Sequence, residues 1–128
     1  MSRVLEHYNY LHEIPELGFQ EFKTSAYISQ QLKNAGFVVQ DNFNGTTGIV
    51  AILDSGIPGP TLAPRADMDA LGQIIDGVHC ARHTCGHDGH SSVVLSAADA
   101  LIARHDVKRG RLTLVFHPAE QLGAGAAA

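Results

Sequence analysis

Between residues 3 and 12 the side chains of Val4, Leu5, Tyr8 and Leu11, together with His12, recur at helical spacing until Pro15 stops the pattern. A longer helix is predicted over TSAYISQQLKNAGF: Thr24 or Ser25 can cap its start, Tyr27, Ile28 and Leu32 share a face, and Gly36 closes it. The period then changes. FVVQ at 37–40 and GIVAILD at 48–54 read as strands separated by an asparagine- and glycine-rich turn, and SGIPGP makes the next turn. TLAPRADMDAL begins as a strand, but Pro64 removes one ladder hydrogen bond and implies an edge, a bulge or a strand end. Asp67 and Asp69 then sit where that strand gives out. HSSVVLSAADALIARH carries Val93, Val94, Ala97, Ala98 and Leu101 at helical period and predicts a well-buried helix. RLTLVFHPAE follows as an apolar strand ended by Pro118. A buried strand entered from a helix suggests a sheet covered by helices, and the order helix, helix, strand, strand, strand, helix, strand predicts an α/β fold.

Composition narrows the setting. With 128 residues, one small domain is the expectation. A chain that is 45% hydrophobic and 17% charged is globular, neither disordered nor coiled coil. No stretch approaches the roughly 18 apolar residues that cross a bilayer. MSRVLEHYNYLHE lacks the apolar core of a secretory signal, so a soluble, cytoplasmic protein with no membrane partner is expected. The net charge is -4, and no run of Lys and Arg could track a phosphate backbone, so no nucleic-acid partner is expected. Cys80 and Cys85 are too few for a disulfide framework and would be thiols in a reducing compartment. Asn44-Gly45-Thr46 fits a glycosylation sequon, but reads better as a turn. The closing GAGAAA offers neither a cap nor a strand, which suggests a fragment of a larger domain.

The chemistry concentrates in HCARHTCGHDGH, residues 79–90, with four histidines and two cysteines in twelve positions. A closed structural zinc knuckle could use Cys80, Cys85 and two histidines, yet the paired short-spaced cysteines of ribbons and fingers are missing. An open, catalytic site would take Cys85 and His87, which the flexible Gly86 lets aim at one point, at the start of the long helix. Glu120, at another strand end, could sit over the metal, since ligands gather at the carboxyl ends of strands in α/β sheets. Ordinary roles stand beside these: His7, His79, His83 and His105 read as surface or core residues, Asp67 and Asp69 could cap a turn, and Glu120 alone would be a solvated acid.

Four stretches in order resemble one family: LHEIPELGFQEFKTSAYISQQLKNAGF, RADMDAL, HTCGHDGH and FHPAEQ. They are similar to the opening helices, aspartate motif, metal motif and glutamate motif of the metal-dependent amidohydrolases of the aminoacylase and carboxypeptidase superfamily, in particular the hippurate hydrolase and auxin-conjugate hydrolase branch. The resemblance implies the N-terminal part of a three-layer zinc-exopeptidase-like catalytic domain, with a mixed sheet covered by helices. It implies that residues 1–128 are a partial catalytic domain, without the lid or dimerisation domain and the later histidine ligands. Two divalent ions, zinc or manganese, would be held by Cys85 and His87. Glu120 would be the general base, Asp67 an aspartate orienting a ligand, and Gln121 would stand where the family usually has a glutamate ligand. Asp88 and His90 match motif positions suited to local hydrogen bonding. Gly72 stands where proline is common. The implied substrate is an N-acyl amino acid, and the implied full-length form leaves room for a homo-oligomer. A dipeptidase or carboxypeptidase of the same superfamily, and a non-catalytic metal-binding remnant, are the alternatives.

Overall fold

The computed structural model, which describes residues 2–128, opens with two helices, α1 (Arg3–His12) and α2 (Phe22–Asn34). Strands β1 (Val38–Gln40) and β2 (Ile49–Asp54) follow, then two short strands, β3 (Thr61–Leu62) and β4 (Arg65–Asp67). A hairpin of β5 (Leu71–Ile75) and β6 (Val78–Arg82) precedes α3 (His87–Ala103) and the last strand, β7 (Arg111–His117). β7 is antiparallel to β2, which is antiparallel to β1, while β3 and β4 pair in parallel with the other edge of β7. The sheet is therefore mixed, and the fold is the α/β type expected. Pro64 falls between β3 and β4, where the missing donor splits what the sequence presents as one strand.

Alternation along β7 decides which face the helices cover. Leu112, Leu114 and Phe116 are buried, and the partners in register on β2 are Leu53, Ala51 and Ile49. Against this face pack Leu11 of α1, Ile28 and Leu32 of α2, and Val94, Leu95 and Ala98 of α3. Full burial of a side chain such as Phe116 contributes about 1.5–3 kcal/mol. Val50, Thr113 and Val115, on the opposite face, are only partly buried. Two layers, one of helices and one of sheet, are thus formed by the described residues. Among the described residues no helix is long and apolar enough to cross a membrane.

Three local expectations change. Helix α2 begins at Phe22 rather than at a Thr24 or Ser25 cap, because the side chain of Glu16 accepts the N–H groups of Lys23 and Thr24 at 2.9 and 2.8 Å and caps the helix from outside it. On α1 the fully buried residues are His7 and Leu11, whereas Leu5 and Tyr8 are exposed. His7 tolerates the interior because Nε2–H donates to Asp99 (3.1 Å) and Nδ1 accepts the Tyr27 hydroxyl (2.9 Å). Finally, residues 79–82 belong to a hairpin the sequence reading did not place. Its turn is Asp76-Gly77, with φ of 51° and 78°, the Asp-Gly pair that a two-residue hairpin loop favours.

Candidate metal centre

The parallel pairing of β4 with β7 brings Asp67 opposite His117, so both strands release their chains at the same edge of the sheet. Beyond β4 the N–H of Met68 still donates to the carbonyl of His117 (3.1 Å), which carries Asp69 up beside the loop that holds Glu120. Gly86, at φ 87°, turns the chain into α3 and delivers His87 as the first helical residue. Three separate chain ends therefore meet at one corner of the sheet.

The donor atoms of Asp69, His87 and Glu120 lie within 4.8 Å of one another, the one such group of three or more among the described residues. Asp69 is fully buried. One carboxylate oxygen accepts His87 Nδ1–H at 3.0 Å, and the other accepts the backbone N–H of Gln121 at 2.9 Å. The carbonyl oxygen of Asp69 also lies 3.0 Å from His87 Nδ1. These contacts hold the proton on Nδ1 and leave the Nε2 lone pair facing outward, the tautomer a metal-binding imidazole needs. Glu120 Oε2 lies 3.5 Å from that nitrogen on a side chain that keeps 39% of its surface in solvent. An imidazole backed by a carboxylate, with a half-open acid beside it, is a donor set that suits a divalent cation reached from solvent.

The remaining predicted residues take other places. Asp67, expected to orient a ligand, accepts hydrogen bonds from His117 Nδ1 (3.1 Å) and Arg65 (2.7 Å); on His87 that position is taken by Asp69. Burial alone would raise the Asp67 pKa, but the bonds from His117 and Arg65, with the charge of Arg65, outweigh it and hold the carboxyl below the usual carboxylate range. His90 sits against Asp67, its Nδ1 accepting the Asp67 N–H at 3.3 Å. Asp88 is buried and accepts from His12 Nδ1 (2.6 Å) and from the N–H of Gly89. Gln121 enters through its backbone, holding Asp69. Cys85 is an exposed free thiol two residues before His87 and outside the group of three donors, and Cys80 is a free thiol on β6. Between them His83 buries both ring nitrogens without a hydrogen-bond partner, and this burial lowers its pKa despite the nearby Asp88 carboxylate. Asp69 is the residue the sequence reading undervalued. Alternation in Asp67-Met68-Asp69 puts both carboxylates on the same side of an extended chain, so the sequence pattern by itself cannot choose between them.

The profile of Peptidase family M20/M25/M40 matches residues 63–128. The chain is 41% identical over 123 residues to IAA-amino acid hydrolase ILR1-like 6 of Arabidopsis thaliana, covering 91% of this chain and 26% of that protein. It is 35% identical over 120 residues to Thermostable carboxypeptidase 1 of Saccharolobus solfataricus, covering 88% and 30%. Among solved structures it resembles the YXEP protein of Bacillus subtilis, described as a dinuclear metal-binding peptidase of the M20 family. The TM-score is 0.84 at 34% identity, over 98% of this chain and 37% of that one. The chain thus spans about a third or less of the length of the curated relatives it matches.

Proposed function

The chain belongs to peptidase family M20/M25/M40, and from that premise we propose that it carries part of the active site of a metal-dependent hydrolase that cleaves the amide bond of N-acyl amino acids. The observation that carries this reading is the convergence of Asp69, His87 and Glu120 from three chain ends. We propose His87 Nε2 and the Cys85 thiolate as the groups that would hold divalent metal, two ions in a complete site, with zinc or manganese as the candidates, and Glu120 as the acid that would stand beside them. Gln121 would add a neutral oxygen where an anionic ligand would bind more tightly. Further ligands would come from chain outside residues 1–128. A bound divalent ion supplies Lewis acidity, lowering the pKa of water toward about 7 and polarising the amide carbonyl.

The rest of the chemistry belongs to this chain. Glu120, open to solvent and beside His87, takes the proton from the attacking water and passes it to the departing amine, as general acid-base catalysis requires. Asp69 keeps His87 in one tautomer and one orientation throughout. Asp67, held ionised by Arg65 and His117, carries its negative charge at the same corner of the sheet. The free thiols of Cys80 and Cys85 suit a reducing compartment such as the cytoplasm.

The test is hydrolysis of a panel of N-acyl amino acids by the chain, and by any longer polypeptide carrying it, with added Mn2+ or Zn2+. Release of free amino acid above a Glu120→Ala control is expected, and no release from any member ends this reading. The likeness to Thermostable carboxypeptidase 1 favours peptide cleavage as a second reading. Faster turnover of dipeptides than of N-acyl amino acids would establish it.

A further inference from the structure

Glu21 is a carboxylate with no exposed surface, and neither the fold nor the proposed donor set accounts for it. One of its oxygens accepts the backbone N–H of Ala119 at 2.8 Å, and the other accepts the hydroxyl of Thr47, itself buried at the entry to β2. Ala119 is fully buried and left-handed, at φ 51° and ψ 37°, a conformation that residues with a Cβ avoid unless their surroundings impose it. It immediately precedes Glu120.

The segment leading to Glu21 touches the same place independently. A Cβ added to Gly18 would lie 3.0 Å from the Cα and Cβ of Ala119 and 2.9 Å from Leu122 Cδ1, so only glycine allows this segment to lie against the Glu120 loop. The carbonyl of Glu16 accepts the N–H of Ala70, next to Asp69, at 2.7 Å. The Glu16 side chain in turn ties the segment to the first turn of α2. Residues 16–21 therefore grip both acid-bearing turns, one through Ala70 and one through Ala119.

We propose that Glu21 is a positioning residue: its carboxylate clamps Ala119 in the left-handed conformation that aims Glu120 at His87, with Thr47 fixing the clamp from β2. The clamp rests on the reading of Glu120 as a working group of the site, and its geometry can be tested apart from that reading.

In the 13C- and 15N-labelled chain, the Cα and Cβ shifts of Ala119 report its backbone conformation. Titration with Mn2+ alone, followed by the electron paramagnetic resonance of free ion, reports the donor set. Glu21→Ala is expected to move the Ala119 shifts out of the left-handed range and weaken Mn2+ binding by about tenfold or more, whereas Glu21→Gln, which keeps an oxygen for the Ala119 N–H, holds the shifts and stays within about threefold. Thr47→Val, which removes the second anchor at constant shape, is expected to fall between them. Rescue by glutamine separates positioning from a contribution to stability alone, which would lower the melting temperature of both variants without moving Ala119. Unchanged shifts and affinity in folded Glu21→Ala, or in Thr47→Val should Glu21→Ala not fold, overturn the clamp. Absence of Mn2+ binding by the unmodified chain would defeat the proposed metal site, while the Ala119 shifts would still decide the clamp.

Discussion

The two halves of HCARHTCGHDGH meet opposite fates. Residues 79–82 run along β6, in a hairpin outside the main sheet whose Ile74, Val78 and His79 face solvent. Residues 87–90 open α3, where His87 and Asp88 are buried and hydrogen-bonded. Twelve adjacent residues of similar chemistry thus divide into an outlying ribbon and the heart of a candidate site. Density of ligand-type residues along a chain is no guide to where they converge. The second half becomes a candidate site because the ends of β4 and β7 deliver carboxylates to it, and among the described residues no comparable group of donors forms around the first half.

The largest expected effect tests the carboxylate that makes the difference. Asp69→Ala leaves His87 Nδ1–H and the N–H of Gln121 without acceptors in the interior and should cost about 2–5 kcal/mol of stability in chemical denaturation. Asp69→Asn, closer in shape, should fold and lose about 10–100-fold in Mn2+ affinity. If Asp67→Asn caused that loss and Asp69→Asn did not, the pairing of carboxylate with imidazole would have to be reassigned.

The cysteines divide along the same line. Cys85→Ser should weaken Zn2+ or Mn2+ binding by about tenfold, as loss of a proposed ligand, whereas Cys80→Ser on the hairpin should leave it unchanged. Equal loss in both would favour a closed knuckle and erase the contrast. The hairpin should in turn be open to damage without consequence for the site. Gly77→Ala, forced to φ 78°, should cost about 1 kcal/mol in a thermal melt while metal affinity stays at the value of the unmodified chain.

The smallest effects lie in pH. His83, between the halves, has a lowered pKa because burial disfavours its charged form. The unfolded chain then binds the proton more readily, so the His83 contribution is fully present above about pH 6.5 and is lost as pH falls through the folded value. Asp67, at the site, is also lowered, so its contribution is present above about pH 3.9 and is lost only in stronger acid. Melting temperatures from pH 8 to 3 should show His83→Phe flattening the upper part of the acid slope and Asp67→Asn the lower. Interchange of the two windows would contradict both assignments.

The period of the apolar residues determined much by itself: helices near 3–12, 24–36 and 90–105, strands near 37–40, 48–54 and 111–117, and a proline break in the strand before Asp67. Periodicity suffices there because burial of one face acts locally. The residue types at 85, 87 and 120 likewise drew attention to that corner of the chain as a candidate metal site, and of the three the donor group contains His87 and Glu120. Only tertiary structure chose Asp69 over Asp67 as the partner of His87, capped α2 from Glu16, buried His7 and set Ala119 against Glu21. Each of these is a hydrogen bond between groups separated along the chain, by 8 residues for Glu16 and Thr24 and by 98 for Glu21 and Ala119. Such a bond has no period along the sequence. It exists because an unpaired polar group in the interior costs more than the conformation that pairs it.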